Sequence, residues 1–440
     1  MTTVPSSHLP PPPPSPLASP SSPPWRRAGV FRSSWALAAL AVGALCAGAC
    51  GSDATKNNAT ARGLAIVASD FAVTSVSLYD PAKGTVVDDC VVSGGGLTQD
   101  LSGDVTLPSH PQHSGELMVI DRKNATLTAI EPLSCAPLRQ FSVSTGGFKA
   151  NPHDVISVSL TKAYVTRFEK NGAATDDPAD FDDGDDVLVV NPTTGQILKS
   201  IVLTQQVPPG FDAGIQARPD RGVLVGGKLY VTLGNLDNKF PGASAPGRIV
   251  VIDTATDTVS GVIDLPDHKS CSAIDYQAAS KRLYVSCGGV FSDGADQPAK
   301  SGLVEIDLAG ATPAIGRVIA ASAVGGQPVN FFSVAVLGET AFVTTLGTFA
   351  DPQAGLAGTP DALYAADLGG GTPVKVLDGG AYNFGRAAVD GAAKKIYLPD
   401  GDAVTPVVRV FDAAAAPVVA GAPFESNPAG HLPPREIAWY

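Results

Sequence analysis

From Gly63 onward the chain alternates short apolar runs with polar, glycine-rich intervals, and the runs follow one another in a fixed order. The stretch from Lys228 to Leu265 displays the unit most plainly. Leu229 to Leu233 is a short run of β-branched and aromatic residues, and after a long polar interval Ile249 to Asp253 is another. Thr254 to Thr258 is turn-like, and Val259 to Leu265 alternates apolar with small or polar residues. These predict strand, long loop, strand, tight turn, strand, which is three strands of a four-stranded antiparallel sheet.

The unit recurs seven times. Its third strand is an apolar run ending in an acidic or amide residue, at Asp80, Glu131, Asn191, Asp253, Asp307, Asp367 and Asp412. Each is preceded by a second-strand run, and in several blades that run reads Tyr-Val-Thr or close to it: Tyr164-Val165-Thr166, Tyr230-Val231-Thr232 and Tyr284-Val285-Ser286. A β unit repeated at this period is the signature of a propeller. The expected fold is therefore all-β, a seven-bladed β-propeller of four-stranded antiparallel blades. Glu436 to Tyr440 reads as a first strand with no second strand after it, so it is expected to join the blade begun near Gly63 and close the ring.

With Val251 to Thr256 (VIDTAT), these motifs resemble the YVTN family of β-propeller repeat proteins, over Gly63 to Tyr440. Blades one and two depart from the pattern, carrying Leu64 to Val67 and Leu117 to Ile120 in place of Tyr-Val-Thr. The resemblance implies the fold and leaves function open, because such repeats occur in binding domains, lactonase-like enzymes and domains of redox enzymes.

Ahead of the repeats the composition changes. Residues 1 to 24 are rich in Pro and Ser and cannot pack a core. Arg26, Arg27 and Arg32 then precede the apolar run Trp35 to Ala49, placed as the hydrophobic region of a signal peptide would be and short for a membrane span. Ala47-Gly48-Ala49-Cys50 resembles a bacterial lipobox, in which Cys50 would become the lipidated first residue. Ala47 stands where lipoboxes usually carry Leu, which leaves cleavage by an ordinary signal peptidase as the alternative. The expected organisation is a leader and lipoprotein signal over 1–50, a flexible tether over 51–62 and the propeller over 63–440. The expected location is the bacterial cell envelope, periplasmic or at the outer membrane, held to the membrane through a lipid anchor.

Charge and cysteine content narrow the partners. A net charge of −12 with no basic stripe excludes a nucleic-acid partner on electrostatic grounds. Export would place Cys90, Cys135, Cys271 and Cys287 in an oxidising compartment, where thiols pair. Cys271 and Cys287 flank a predicted hairpin and are expected to face each other across it. Cys90 with Cys135, on neighbouring blades, is the second pairing.

Candidate chemistry is sparse. Gly222 to Lys228 matches most of a phosphate-binding loop, but Leu229 replaces the required Ser or Thr and the context is strand-turn-strand, so the stretch reads as a hairpin. Asp176, Asp177, Asp180, Asp182, Asp183, Asp185 and Asp186 crowd the interval between second and third strands of blade three. Oxygen ligands at that density can hold calcium, although the spacing is not that of an EF-hand; the other reading is a solvated acidic loop. No other cofactor has a signature: there is no Gly-x-Ser-x-Gly elbow, Cys-x-x-Cys-His haem attachment or His-Glu-x-x-His helix.

Length is spent on one face, in the intervals Gly234 to Gly247, Gly288 to Ser301 and Thr345 to Pro360, where function concentrates on a rigid scaffold. Polar residues that begin innermost strands are the channel candidates: His153, Asp154, Asn330, Asn383, Arg386, His431, Arg435 and Glu436. Arg386 and Glu436 are expected to meet on closure, and an Arg beside a carboxylate can orient an anionic or hydroxylated ligand. Two functions stand: an envelope-anchored propeller that binds or scaffolds an unidentified protein or small molecule, and a lactonase-like or other hydrolase working over the central channel.

Overall fold

The computed structural model describes residues 63–440 apart from 212–213, 240–241, 352, 354–356, 403 and 416. The leader, Cys50 and the tether lie outside the described residues. Seven four-stranded antiparallel sheets form the blades of a propeller. Blade one runs, from innermost to outermost, Pro434–Trp439, Leu64–Ser69, Thr74–Asp80 and Thr85–Val92. The others follow chain order: Val105–Thr106 to Ala136–Ser142 is blade two, Pro152–Ser159 to Ile197–Val202 blade three, and Pro219–Val225 to Thr258–Leu265 blade four. Cys271–Gln277 to Ala314–Ala320 is blade five, Val336–Leu337 to Val374–Asp378 blade six, and Ala388–Asp390 to Val419–Ala420 blade seven. Among the described residues no helix is long and apolar enough to cross a membrane.

The apolar runs are continuous because the two middle strands of each blade are covered on both faces. In blade four all but the first residue of Lys228–Leu233 is buried, whereas the outermost strand Thr258–Leu265 alternates between exposed and covered positions. The core accordingly lies between blades. Tyr230, Ile249 and Val251 of blade four pack with Ile274, Leu283 and Val304 of blade five, and burial of each aliphatic side chain contributes about 1.5–3 kcal/mol.

Two recurrent sequence features now have physical explanations. The hydroxyl of the Tyr-Val-Thr motif crosses to the next blade: Thr166 Oγ1 donates to the Asp220 carbonyl at 2.6 Å, Thr232 Oγ1 to the Ser272 carbonyl at 2.6 Å, and Ser286 Oγ to the Asn330 carbonyl at 3.1 Å. The motif is thus an inter-blade rivet. In blade six Thr344 Oγ1 has no such partner, and blade seven carries Pro399 at the equivalent position. The acidic or amide residue ending each third strand caps the turn that follows. Asp253 Oδ1 accepts from the amides of Ala255 and Thr256, Asp80 does the same for Ala82 and Lys83, and Asn191 for Thr193 and Thr194.

The ring closes as the sequence predicts. Trp439 pairs with Leu64 and Ile437 with Ile66, with a bulge between Val67 and Ala68. Both disulfides form: Cys271 and Cys287 are directly opposed across the first two strands of blade five, with Cα atoms 3.9 Å apart, and Cys90 joins Cys135 across the boundary of blades one and two. In the chain-entropy account such loops contribute about 3 and about 4 kcal/mol respectively. The Gly222 to Lys228 stretch is a two-residue hairpin. Val225 pairs with Lys228, and Gly226 and Gly227 take φ of +56° and +78°, the backbone a tight primed turn requires.

Candidate functional site

Two abutting clefts open on the face where the chain enters its innermost strands, with volumes of about 350 and 300 Å3. Arg122 and Phe332 line both. A smaller cleft of about 140 Å3 opens on the opposite face.

The larger cleft is built around His153 and Asp220, at the starts of the innermost strands of blades three and four. His153 Nδ1 lies 2.8 Å from Asp220 Oδ1, and both residues are buried. Burial disfavours the imidazolium and lowers the His153 pKa, against the opposing pull of Asp220. Asp220 stays ionised: burial works against its charge, but the pull of His153 and Arg221 and hydrogen bonds from His153 and Ser272 prevail and lower its pKa. Near pH 7 burial keeps His153 neutral, so there Arg221 and the hydrogen bonds are what hold the Asp220 charge. A neutral His153 donates Nδ1–H to Asp220 and turns the lone pair of Nε2 towards Arg122, whose Nη1 is 3.5 Å away.

Phe168 stacks on His153 with ring centroids 4.2 Å apart and 7° between planes, and the Arg218 guanidinium sits 4.9 Å from the same Phe168 ring. Arg218 is buried and bonds to the backbone carbonyls of Asp237 and Phe168, while its Nε has no partner. Among the described residues no carboxylate comes within ion-pair distance of it. Glu169, Asp185 and Asp237 attract it only from beyond ion-pair distance and burial prevails, lowering its pKa, so a direct anionic partner would stabilise it.

Glu436 lies at the centre of the ring. Its Oε1 pairs with Arg386 and lies 3.4 Å from Arg221 Nη2, and its Oε2 accepts from Thr106 Oγ1 at 2.6 Å. Burial alone would favour the neutral acid, but the two guanidiniums hold its pKa below the usual carboxylate range. Arg386 also donates to the carbonyls of Leu107 and Pro108, and Arg221 to Leu107. The cluster therefore joins blades one, two, four and seven, and Arg221 and Arg386 separate the clefts of the two faces.

The other candidates divide by position. Asp154 spends its carboxylate on the amides of Ser109, Val155 and Gly222, tying blades two, three and four. Asn330 bridges to blade seven, donating to the Phe384 carbonyl at 3.1 Å. Asn383 and Arg435 line the smaller of the two upper clefts. His431 is not brought to the channel; it is exposed, with Nδ1 3.8 Å from Glu425.

The acidic interval needs a correction. Asp185 and Asp186 do not belong to the loop but to the strand Gly184–Val190, where both are buried. Asp186 is opposite Arg167 and forms a fully buried ion pair with it at 2.6 Å; Asp185 accepts from the amides of Ala217 and Arg218. Asp182 is buried too, accepting from Thr175, and Asp176, Asp177 and Asp180 are exposed. Asp183 takes part through its carbonyl, which accepts from the Asn171 amide. Among the described residues no group of three or more His, Cys, Asp or Glu side chains is placed to hold a metal ion.

Sequence reasoning missed Asp220, Arg221, Arg218, Arg122 and Phe168. The signal was present in Ala217-Arg218-Pro219-Asp220-Arg221, a charged cluster at the start of an innermost strand, the position that selected His153 and Arg386 in other blades.

No protein-family model matches the chain, and no curated protein matches it in sequence. Solved structures match the fold. A candidate 6-phosphogluconolactonase of Bacteroides fragilis superposes with a TM-score of 0.54 at 12% identity, covering 86% of this chain and 98% of that one. The periplasmic gluconolactonase PpgL of Pseudomonas aeruginosa gives 0.51 at 13%, covering 86% and 99%. The β-propeller domain of Cps50 (Swd1) from Myceliophteria thermophila gives 0.50 at 13%, covering 78% and 95%. At these identities the likeness is one of fold.

Proposed function

We propose that the protein is an exported propeller that binds a compact, hydroxylated anion in the cleft of Arg218, His153 and Arg122. The observation that carries this is Arg218, a buried guanidinium held over Phe168 with no carboxylate partner among the described residues. A carboxylate or phosphate would complete it, hydroxyls would find Arg122 and His153, and Phe168, Phe331 and Phe332 offer apolar walls. The gluconolactonase among the fold neighbours acts on a compound that yields such an anion. Export is supported by two disulfides and by the signal-like leader, with Cys50 the proposed site of lipid attachment. Titration calorimetry with D-gluconate is the test: binding lost in Arg218→Gln is expected, and no heat with the wild type would overturn the reading.

A second reading, lactone hydrolysis, is favoured by the tautomer of His153. Its Nε2 would take a proton from water as the water oxygen bonds to the acyl carbon. The ring C–O bond then breaks and the proton passes to the departing alkoxide. Base-consumption assays on glucono-1,5-lactone should show turnover above background that His153→Asn abolishes while D-gluconate still binds.

A further inference from the structure

The second upper cleft has no part in the function proposed above, yet it is constructed in the same way as the first. Its walls carry Phe71, Phe332 and Tyr382; of the arginines that line it, Arg122 pairs with Asp104 and Arg221 and Arg386 with Glu436, which leaves Arg435. Arg435 stacks over Phe71 at 5.1 Å from the ring centroid, as Arg218 does over Phe168, and its Nε donates to the Ser69 carbonyl. Among the described residues it too lacks a carboxylate within ion-pair distance, and burial lowers its pKa against the pull of Asp70.

The aromatic walls are held in place against their own preference. Phe71 and Tyr382 both take left-handed backbone, with φ of +69° and +57°, which bulky side chains avoid. Each is fixed from several sides. The Phe71 amide donates to Ser69 Oγ at 3.0 Å and its carbonyl packs on Gly103 so closely that a Cβ there would meet it at 2.1 Å. The Tyr382 amide donates to Asp361 Oδ1 at 2.9 Å, and the buried Asp361 also takes the amides of Asn383 and Phe384. Phe71 nevertheless leaves 71% of its surface exposed. Strained backbone that positions an exposed and a half-buried aromatic ring beside an unpaired guanidinium is the mark of a ligand-facing surface.

We propose that the two upper clefts are subsites of one site for a dianionic, polyhydroxylated ligand, one anionic group at Arg218 and the other at Arg435. Arg122 and Phe332, which belong to both clefts, provide the continuity between them. Hydroxyls along the ligand meet Arg122 and Asn383, and its C–H faces meet Phe71 and Tyr382. This rests on the reading of the larger cleft as an anion site.

The test compares D-gluconate, one carboxylate, with D-glucarate, two, by calorimetry on the intact protein. Glucarate should bind about tenfold more tightly than gluconate, the gain of one further charged hydrogen-bonded contact. Arg435→Gln and Phe71→Ala should each remove that gain and leave gluconate affinity unchanged; Phe71 is exposed enough that its truncation leaves the fold intact. If gluconate binds and glucarate binds no more tightly, or the gain survives in both variants, the second subsite is overturned while the first stands. If neither acid binds, the larger cleft is not an anion site and both readings fall together.

Discussion

The Nδ1 atom of His153, on blade three, lies 2.8 Å from the Oδ1 atom of Asp220, on blade four, inside a covered cleft. The consequence for stability is directional. Unfolded histidine titrates near pH 6.5, whereas burial lowers the folded pKa of His153 below that value. Between the two values the unfolded chain binds a proton that the folded one does not, so stability falls with pH from about 6.5 downward and is unaffected by this residue above it. Urea unfolding at pH 7.5 and 5.5 should show a larger loss for the wild type than for His153→Asn, whose amide keeps a donor towards Asp220. Equal losses would mean that His153 is charged in the folded protein.

Glu436 combines the expected contact with an unexpected duty. The Arg386 neighbour anticipated from closure is there, but the carboxylate is also bound by Arg221 and Thr106, and both guanidiniums spend donors on backbone carbonyls. Glu436→Ala would leave the largely covered Arg386 without an ion pair and Arg221 with Asp220 alone, 3.8 Å away, and should cost about 3–5 kcal/mol in urea unfolding. A cost below about 1 kcal/mol would show that water or another group replaces the carboxylate readily.

The inter-blade rivet is separable from the strand it sits on. Thr232→Val keeps the β-branched shape but leaves the Ser272 carbonyl without its donor, a loss of about 1–3 kcal/mol. Thr232→Ser should restore most of it. Two equally destabilised variants would mean that the methyl group contributes as much as the hydroxyl and that the bond is not the dominant part of the rivet.

Anchoring is tested at Cys50. Cys50→Ala, with the protein expressed in a bacterial host, should move it from the membrane fraction to the soluble one, since a lipid chain is the membrane attachment proposed for it. Unchanged partition, together with a wild-type mass that lacks lipid, would refute the anchor.

The fold was readable because it repeats. Seven copies of one pattern average out local ambiguity, and an acidic or amide residue such as Asp253 at each third-strand end marks the turn it caps. The disulfide of Cys271 and Cys287 was readable because two residues flanking a hairpin must face each other. The site was less so. His153, Arg386 and Glu436 could be selected as polar residues at strand starts, but what they contact depends on which blades face one another across the ring. Arg122 shows the limit: it follows the second strand of blade two, with no local mark of function, and reaches His153 only through the curvature of the whole sheet array. Asp185 and Asp186 show the opposite error, where a run of identical residues hid a change from loop to strand at Gly184.

The strand Pro434–Trp439 completes blade one from the far end of the sequence; Arg435 bonds to Ser69 across a separation of 366 residues. Such contacts form late, because the entropy of closing so long a loop is spent before any reward arrives. Without that strand the inner edge of blade one, Leu64–Ser69, is unpaired. The same strand carries Glu436 and Arg435, so ring closure, the brace across the channel and one wall of the smaller cleft all depend on a single segment. A chain that loses this strand therefore loses the brace and that cleft wall together with the seal of the ring.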